Sequence, residues 1–385
     1  MPDTRPTVTT LGRAYRRYHG DLLCGLYQPD RLSHLYIVGQ TGTGKSTLLG
    51  NLVRQDAAAG RGYCLIDPHG DLARQLAGEL PEDPLVWNVA DPDSPYGYNP
   101  LTRASARHRP LIASGLIETL KKQWADAWGA RMEHLLRYAI LALLEQPRTD
   151  LRCIVRLYVD KEFRRKVVAG ITDEQVLAFW RDEYPNMNYQ NAVDGVAPIA
   201  NKLGAFLAHP VVRKAVCEPD TPLRFRRLMD EGTGILVNLA KGQLGADLAN
   251  VLGGLLITSI MHAAFSRHDQ PETERRPFFL YVDEFHAFTT SAFAGMLSES
   301  RKYGLGLVLA HQHIVQTERA VFEAILGNAG SLIAFRTGAS DAPTFARQLH
   351  EIPERDLINL PNHRAFAQLM VNGEKTKPFS LRTVP

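Results

Sequence analysis

The sequence predicts a doubly wound α/β protein: a mostly parallel sheet with helices on both faces, and an all-helical domain inserted into it. Two observations favour this fold. In residues 31–102 and 229–385, short apolar runs alternate with helical stretches, as buried parallel strands and their crossover helices do. In residues 103–228 the apolar residues recur only at helical spacing. Residues 1–30 are expected to form a basic leader without clear periodicity.

Each predicted core strand is a short apolar run that ends at a glycine or a polar residue. These strands are predicted at residues 35–38, 63–66, 234–239, 278–282, 305–310 and 331–335. A helix is expected over 46–59 and another from about Asp71. Near the C-terminus, residues 365–371 and 377–383 flank Asn372–Gly373, a pair typical of a β-hairpin turn.

Composition places the chain among ordinary globular proteins. With 385 residues, 45% apolar and 22% charged, it has room for two lobes. The four cysteines show no metal-ligand spacing, which favours a reducing compartment. The N-terminus lacks the apolar core of a signal peptide, and the apolar stretch 248–265 is interrupted by polar residues, as in a buried helix. We therefore expect a cytoplasmic protein without a membrane span.

The net charge of +3 does not by itself indicate a nucleic-acid partner. Residues 101–170, however, contain 14 Lys and Arg against 7 Asp and Glu. Lys161, Arg164, Arg165 and Lys166 lie close together there. Such a cluster is either a solvated helical face or a contact for DNA phosphates.

A phosphate-binding loop follows the first predicted core strand. The sequence GQTGTGKS at 39–46 matches GxxxxGK[ST] and precedes a predicted helix. Glycines let successive backbone N–H groups point at phosphates, and the helix N-terminus favours the same anion. Lys45 is expected to reach the β- and γ-phosphates of ATP, and Ser46 to ligate Mg²⁺. The expected nucleotide-binding residues are Gly39, Gln40, Thr41, Gly42, Thr43, Gly44, Lys45, Ser46 and Thr47.

Acidic residues end a second apolar strand, at Asp283 and Glu284. The C-terminal edge of a parallel sheet is where ligands bind, so Asp283 is expected to hold Mg²⁺ and Glu284 to activate the attacking water. Gln312 comes after the next strand and is a candidate sensor of the γ-phosphate. The base-reading NKxD motif of small GTPases and the LSGGQ signature of ABC transporters are absent from the sequence.

Two arginines are candidates for completing a neighbouring subunit's site. Arg301 ends the helix after the acidic motif, and Arg336 ends the last core strand. An arginine supplied in trans stabilises the charge that develops on the transferred phosphoryl group. Either residue could instead be an ordinary helix-dipole cap or strand-end residue.

Together these motifs resemble the FtsK–HerA superfamily of DNA pumps, most of all the soluble ATPase part of TraD/TraG-like coupling proteins of conjugation and type IV secretion. The resemblance rests on RLSHLYIVGQTGTGKS at 31–46, IDPHGD at 66–71, GYNP at 97–100, VNLAKG at 237–242, VDE at 282–284, RKYG at 301–304 and Gln312. It implies a RecA-like core, a hexameric ring and DNA threaded through its centre.

The same resemblance assigns residues and partners. Arg301 matches the family's trans-acting arginine. Asp67 and Asp71 match an acidic motif whose role is open, since from the residues alone they are a strand end and a helix N-cap. Coupling proteins usually begin with membrane-spanning helices, and none is evident here. The implied partners are DNA, further copies of the chain, and a relaxase complex or a membrane channel protein.

Three function classes remain open at this point. The first is an ATP-hydrolysing DNA motor, serving conjugative or mobile-element transfer, DNA-end processing or viral genome packaging. The second is an ATPase that remodels or secretes proteins. The third is a nucleotide-gated interaction module, which a positioned base at Glu284 argues against. Stimulation of ATP hydrolysis by DNA would separate the first two.

Overall fold

The computed structural model describes residues 7–16, 20–81, 84–187, 189–350 and 352–384. In chain order the strands are β1 Val8–Arg16, β2 Gly20–Tyr27, β3 Leu35–Val38, β4 Gly62–Asp67, β5 Leu85–Asn88, β6 Tyr96–Gly97, β7 Thr221–Pro222, β8 Gly234–Asn238, β9 Phe278–Val282, β10 Leu305–His311, β11 Ser331–Ala334, β12 Arg364–Gln368, β13 Met370–Val371, β14 Glu374–Lys375 and β15 Phe379–Thr383. The α-helices are α1 Gln28–Arg31, α2 Lys45–Ala58, α3 Asp71–Glu79, α4 Arg109–Gln123, α5 Ala130–Leu143, α6 Arg152–Val159, α7 Lys161–Ala169, α8 Glu174–Ala178, α9 Tyr184–Asn186, α10 Tyr189–Ala208, α11 Pro210–Cys217, α12 Phe225–Glu231, α13 Lys241–Leu244, α14 Ala246–Phe265, α15 Ser291–Ser300, α16 Arg319–Asn328, α17 Ala342–Gln348 and α18 Glu354–Ile358.

The main sheet confirms the predicted fold class. Its order among the described residues is β2-β1-β15-β12-β11-β3-β10-β9-β4-β8-β5. The pairs from β11 through β3, β10, β9 and β4 to β8 are parallel, and all six predicted core strands are present there. Because parallel strands carry helices on both faces, β3, β4, β9, β10 and β11 are buried along their whole length.

Four antiparallel strands extend the sheet beyond β11. Strand β12 pairs with β11 and β15, and β15 pairs with β1, which pairs with β2. The predicted C-terminal hairpin is therefore present as β12 and β15, with Asn372 and Gly373 at φ values of 50° and 83° in the turn between β13 and β14. We call β1, β2, β12 and β15 the antiparallel wing.

The leader predicted for residues 1–30 differs from the observed structure. Residues 8–16 and 20–27 form β1 and β2, and α1 begins within the predicted leader. These strands escaped the sequence pattern because a bulge between Thr10 and Gly12 interrupts their alternation. Residues 1–6 and 17–19 of the predicted leader lie outside the described part.

The chain divides into two compact units, and their boundaries differ from the predicted ones. The first holds the described residues up to Trp87, Arg226–Leu239 and the chain from Arg267 onward. The second holds Asn88–Phe225 and Ala240–Ser266. Helices α4 to α11 lie within the range 103–228 that was predicted to be all-helical, but the short strand β7 at Thr221–Pro222 lies there as well. The second unit also takes α14, which lies within the range predicted for the core.

Helix α14 belongs to the second unit because it packs on α4. Thr119 and Thr258 hydroxyls lie 3.2 Å apart across the two helices, and a Cβ at Gly115 would come within 2.6 Å of Thr258. In the described part of the chain, one helix is both long enough and apolar enough to cross a membrane, namely α14 together with the turn that follows it. Its most apolar window is 67% buried, in agreement with the prediction of a buried helix.

Candidate functional site

The loop at 39–46 joins β3 to α2 at the C-terminal edge of the parallel strands. Gly42 and Gly44 have φ values of 74° and 115°, which side chains rarely adopt. A Cβ at Gly39 would come within 2.5 Å of the Phe335 Cβ. Helix α2 begins at Lys45 with Gly44 as its N-cap, so its first-turn N–H groups are free to receive an anion. This backbone forms the expected phosphate cradle.

Lys45 is folded back onto this loop. Its Nζ donates to the carbonyl oxygens of Gly39 at 2.6 Å and Gln40 at 3.2 Å. Burial lowers the pKa of the ammonium group, and the carboxylates of Asp283 and Glu284 partly oppose that shift. The ammonium group thus lies in a buried position with carbonyl partners that phosphate oxygens would replace.

The two residues predicted to bind magnesium lie close together: Ser46 is in the first turn of α2, after β3, and Asp283 directly follows β9. The Ser46 hydroxyl donates to Asp283 Oδ2 at 3.4 Å, and Asp283 Oδ1 accepts the Glu284 N–H at 3.0 Å. Burial first, and then the charge of Glu284, raise the pKa of Asp283 to about 6, although Lys45 opposes this. A carboxylate whose charge is disfavoured in this way is suited to a cation.

One hydroxyl and one carboxylate fit the ligand set of Mg²⁺ in nucleotide sites, where water and phosphate oxygens complete the shell. Among the described residues, no group of three or more His, Cys, Asp or Glu side chains is placed to hold a metal. Ser46 and Asp283 therefore fit a Mg²⁺ ion whose remaining ligands are phosphate oxygens and water.

Gln312 connects the acidic motif to the phosphate loop. Its Nε2 donates to Glu284 Oε1 at 2.5 Å, and its Oε1 accepts from the Thr41 hydroxyl at 2.6 Å. Glu284 itself has a φ of 49°, a left-handed conformation that costs a residue with a Cβ and that often marks functional sites. A single amide therefore joins the three strand ends of β3, β9 and β10.

Two histidines next to this site were not predicted from the sequence. His286 Nδ1 lies 3.4 Å from Glu284 Oε2. His311 ends β10, stacks on Tyr36 at 5.5 Å between ring centroids, and shares a 3.0 Å hydrogen bond with its hydroxyl. Burial, followed by the charge on His286, lowers the pKa of His311 to about 3, so its ring is neutral near pH 7. The only sequence signal was a histidine at the end of an apolar strand.

The two candidate arginines lie at opposite edges of the sheet. Arg336 is beside the phosphate loop: its Nε donates to Gln40 Oε1 at 3.2 Å and its Nη1 to the Leu360 carbonyl at 3.1 Å. Arg301 is exposed and precedes β10, whereas Gln312 comes after it. A strand rises about 3.3 Å per residue, so the seven residues of β10 separate Arg301 from its own chain's site by roughly 20 Å.

The acidic pair Asp67 and Asp71, whose role the resemblance left open, separates into two roles. Asp67 is buried, and its two oxygens accept the N–H groups of His69 and Ala73, both at 3.0 Å, which fixes the turn into α3. Asp71 is exposed and pairs with Arg74. Asp71 and the predicted binding residues Ser46 and Thr47 line a cavity of about 500 Å³ between α2 and α3. Asp67 thus contributes to the fold, and Asp71 faces the cavity beside the phosphate loop.

The basic cluster on α7 is partly neutralised. Lys166 pairs with Glu162 at 2.9 Å, and Arg164 Nη1 donates to the carbonyls of Leu157 and Tyr158 at 3.1 and 2.9 Å. Lys161 and Arg165 are exposed. This helix is therefore weaker support for a DNA contact than its sequence suggested.

The cradle, the strand-end carboxylates and the sheet order define a P-loop NTPase with a RecA-like fold. Residues 29–150 match the family model described as the central domain of helicase HerA. Over these residues the chain is similar to that family, in agreement with the predicted resemblance to the FtsK–HerA superfamily. No curated protein matches the chain.

Solved structures share the fold over nearly the whole chain. The plasmid coupling protein TrwB in complex with the non-hydrolysable GTP analogue GDPNP superposes with a TM-score of 0.67 at 17% identity, covering 94% of this chain and 87% of that one. TrwB in complex with ADP and Mg²⁺ gives 0.65 at 16%, with the same coverage. VirB4 of Thermoanaerobacter pseudethanolicus gives 0.65 at 14%, covering 98% of this chain and 96% of that one.

Proposed function

We propose that this chain is an ATPase that moves DNA, working as one subunit of a hexameric ring in conjugative or mobile-element DNA transfer. The observation that carries the proposal is the link from Glu284 through Gln312 to Thr41. A base tied to the phosphate loop by one amide can report whether the terminal phosphate is present. A motor needs such coupling, whereas a passive nucleotide-binding module does not.

The residues of the site suit hydrolysis of Mg·ATP. With Mg·ATP bound, Lys45 would exchange its loop carbonyls for oxygens of the β- and γ-phosphates. Ser46 and Asp283 would hold Mg²⁺, and the ion would neutralise developing charge. Glu284 accepts a proton from the water that attacks the γ-phosphorus, and the bond from that phosphorus to the β–γ bridging oxygen breaks. Gln312 holds Glu284 in position for this transfer. The complexes of TrwB with ADP and Mg²⁺ and with nucleotide analogues support the assignment of these ligands.

A ring is supported by where the candidate arginines lie. Arg301 is exposed at the sheet edge opposite its own site, so it is placed to complete a site on a neighbouring copy. Arg336 is bound to Gln40 within its own chain and positions the phosphate loop. DNA as the substrate is supported by the shared fold with a plasmid coupling protein. Because ATP and the transferred DNA are cytoplasmic, the motor belongs there as well.

The test compares steady-state phosphate release with and without single- or double-stranded DNA, using wild type and Glu284→Gln. DNA is expected to raise the wild-type rate. The amide variant should bind Mg·ATP normally and lose turnover, by about 10²–10⁴-fold, because it cannot accept the proton. Glu318→Gln, on the exposed surface before α16, is the matched control and should keep the wild-type rate.

Two outcomes would contradict the proposal in different ways. A fully active Glu284→Gln variant would place the base elsewhere. A wild-type rate that no DNA changes but that a polypeptide raises would favour a protein-remodelling or protein-secreting ATPase.

A further inference from the structure

Three arginines form a straight row across the antiparallel wing. Arg13 of β1 is paired directly with Arg382 of β15, and Arg382 with Arg364 of β12. Directly paired residues of antiparallel strands point to the same face, about 5 Å apart. All three side chains are exposed, while their strand neighbours Leu381 and Ala365 point into the core. The row, together with Asp21 and Ser380, lines a groove of about 300 Å³.

The row forms no ion pair within the part of the chain that the structure describes. None of its three guanidinium groups makes an ion pair or a side-chain hydrogen bond with any described residue, and Asp21 in the groove makes none either. Several exposed arginines elsewhere in the same unit are paired, as Arg74 is with Asp71 and Arg227 with Glu231. Like charges that face each other across strands are destabilising. A row of three is therefore an arrangement that an anionic ligand would stabilise.

The spacing of the row points to a chain of phosphates. Guanidinium groups bind phosphate oxygens through two parallel hydrogen bonds, and three of them at strand spacing follow a line about 10 Å long. Apolar groups lie beside the charges: Leu23, 65% exposed, is paired with Arg13, and Phe366 is paired with Ser380 in the next row. Basic grooves flanked by apolar or aromatic side chains are typical of nucleic-acid contacts.

We infer that the groove of Arg13, Arg364 and Arg382 binds the phosphodiester backbone of the nucleic acid on which this chain acts. The identity of that ligand rests on the proposed function, whereas the groove itself rests only on the strand register and its unpaired charges. None of the three residues belongs to the ATP site.

The groove is also connected to the phosphate loop. His363, next to Arg364 in the chain, donates its N–H to the Thr43 carbonyl at 2.8 Å, and its own carbonyl accepts from the Thr383 N–H at 3.0 Å. Strand β12 is two strands from β3, or about 10 Å. Occupation of the groove can thus be transmitted through one residue to the loop that holds ATP.

The inference is tested by fluorescence anisotropy of labelled single-stranded and duplex DNA at salt concentrations from about 50 to 200 mM. The groove variant is Arg364→Gln with Arg382→Gln. The matched variant, Arg227→Gln with Arg319→Gln, removes the same charge from two exposed helix positions. Each phosphate contact contributes about 0.9 to the slope of log K against log salt for duplex, or about 8-fold in affinity at 0.1 M salt. The groove variant should therefore lose about 60-fold in duplex affinity and about 1.8 in slope.

The same two variants separate binding from catalysis. In the groove variant, the DNA concentration that half-saturates ATPase stimulation should rise by the same factor, and the rate without DNA should be unchanged. Because the groove arginines pair with no described residue, the variant should fold with an equal or slightly higher thermal midpoint.

Several results would overturn the inference. Equal losses of affinity in both variants would show that net charge, rather than the groove, determines binding. Unchanged binding in the groove variant would reject the groove and leave the proposed function standing. A wild type that binds no DNA would reject both. Polyglutamate or pyrophosphate could displace DNA from the groove at concentrations where matched salt has no effect. Displacement by polyglutamate would assign the groove to an acidic protein, and displacement by pyrophosphate would assign it to nucleotide phosphates.

Discussion

Replacing Asp283 by Asn separates the effect of this carboxylate on the fold from its effect on Mg²⁺. The pKa of Asp283 lies at about 6 instead of 3.8, because burial and the neighbouring Glu284 oppose its charge. The folded chain keeps a proton there after the unfolded chain has lost it. Protonated Asp283 therefore makes its full contribution to the free energy of unfolding below about pH 4. That contribution is lost as the pH rises through 6 and the buried carboxyl becomes charged.

The magnitude follows from the two pKa values. At pH 7 the charged carboxylate costs the folded state about 3 kcal/mol relative to an unperturbed one, and about 1.4 kcal/mol of that cost appears between roughly pH 5 and pH 7.5. Part of the Asp283 side chain remains exposed to solvent, so both figures are upper limits. Asparagine is a suitable replacement because its Oδ1 can still accept the Glu284 N–H, which Asp283 accepts at 3.0 Å.

The assay is urea unfolding of the nucleotide-free protein across this pH range. The free energy of unfolding of Asp283→Asn should exceed that of wild type, and the gap should grow as the pH rises. Saturating Mg·ATP should reverse the order, because only wild type gains the stabilisation of a Mg²⁺ ligated by Asp283. Asp71→Asn, at an exposed carboxylate paired with Arg74, is the control and should show no such growth. A gap for Asp283→Asn that is constant with pH would refute the assignment of the raised pKa to this carboxyl.

Three further predictions concern the same site. Lys45→Ala should weaken ATP binding by about 10–100-fold and abolish turnover, because the charge facing the phosphates is lost; a nucleotide titration checks this, and phosphate release near the wild-type rate would contradict it. Gln312→Ala should lower kcat by about 10–100-fold with little change in KM, since Glu284 loses its positioning partner; a fall in ATP affinity alone would instead assign Gln312 to binding. Glu284→Gln and Arg301→Ala subunits, each inactive alone, should recover partial ATPase activity when they are mixed with ATP and DNA present. Mixtures of Glu284→Gln with Arg336→Ala should show no recovery. Rings of Glu284→Gln and Arg301→Ala subunits that form without recovering activity would exclude the action of Arg301 in trans.

The core of the site was predictable because each of its parts is local in sequence. A glycine-rich turn between an apolar run and a helix predicts a phosphate loop, and an apolar run that stops at Asp283 and Glu284 predicts carboxylates at a sheet edge. The bridge from Glu284 through Gln312 to Thr41 was not predictable, because it joins residues that are 28 and 271 positions apart. Only the order of β3, β10 and β9 in the sheet brings them together.

The first two strands of the antiparallel wing, β1 and β2, escaped prediction for a related reason. Buried parallel strands are continuous apolar runs, whereas β1 has one exposed face and mixes Arg and Thr with Leu. Arg13 and Arg382 are far apart in the chain, and each looks like an ordinary surface residue in its own segment. Their row exists only through the strand register.

Exposure and hydrogen-bond partners rank the two arginines that the sequence left nearly equal. A residue that acts on a neighbouring subunit must be accessible and must not be engaged at its own site. Arg336 fails this condition, since Gln40 and Leu360 accept its hydrogen bonds beside its own phosphate loop. Arg301 meets it, since it is exposed at the far end of β10 from Gln312. Because the two ends of a parallel strand lie at opposite edges of the sheet, one subunit can offer its ATP site at one edge and Arg301 at the other. A ring of identical subunits requires such a heterologous arrangement.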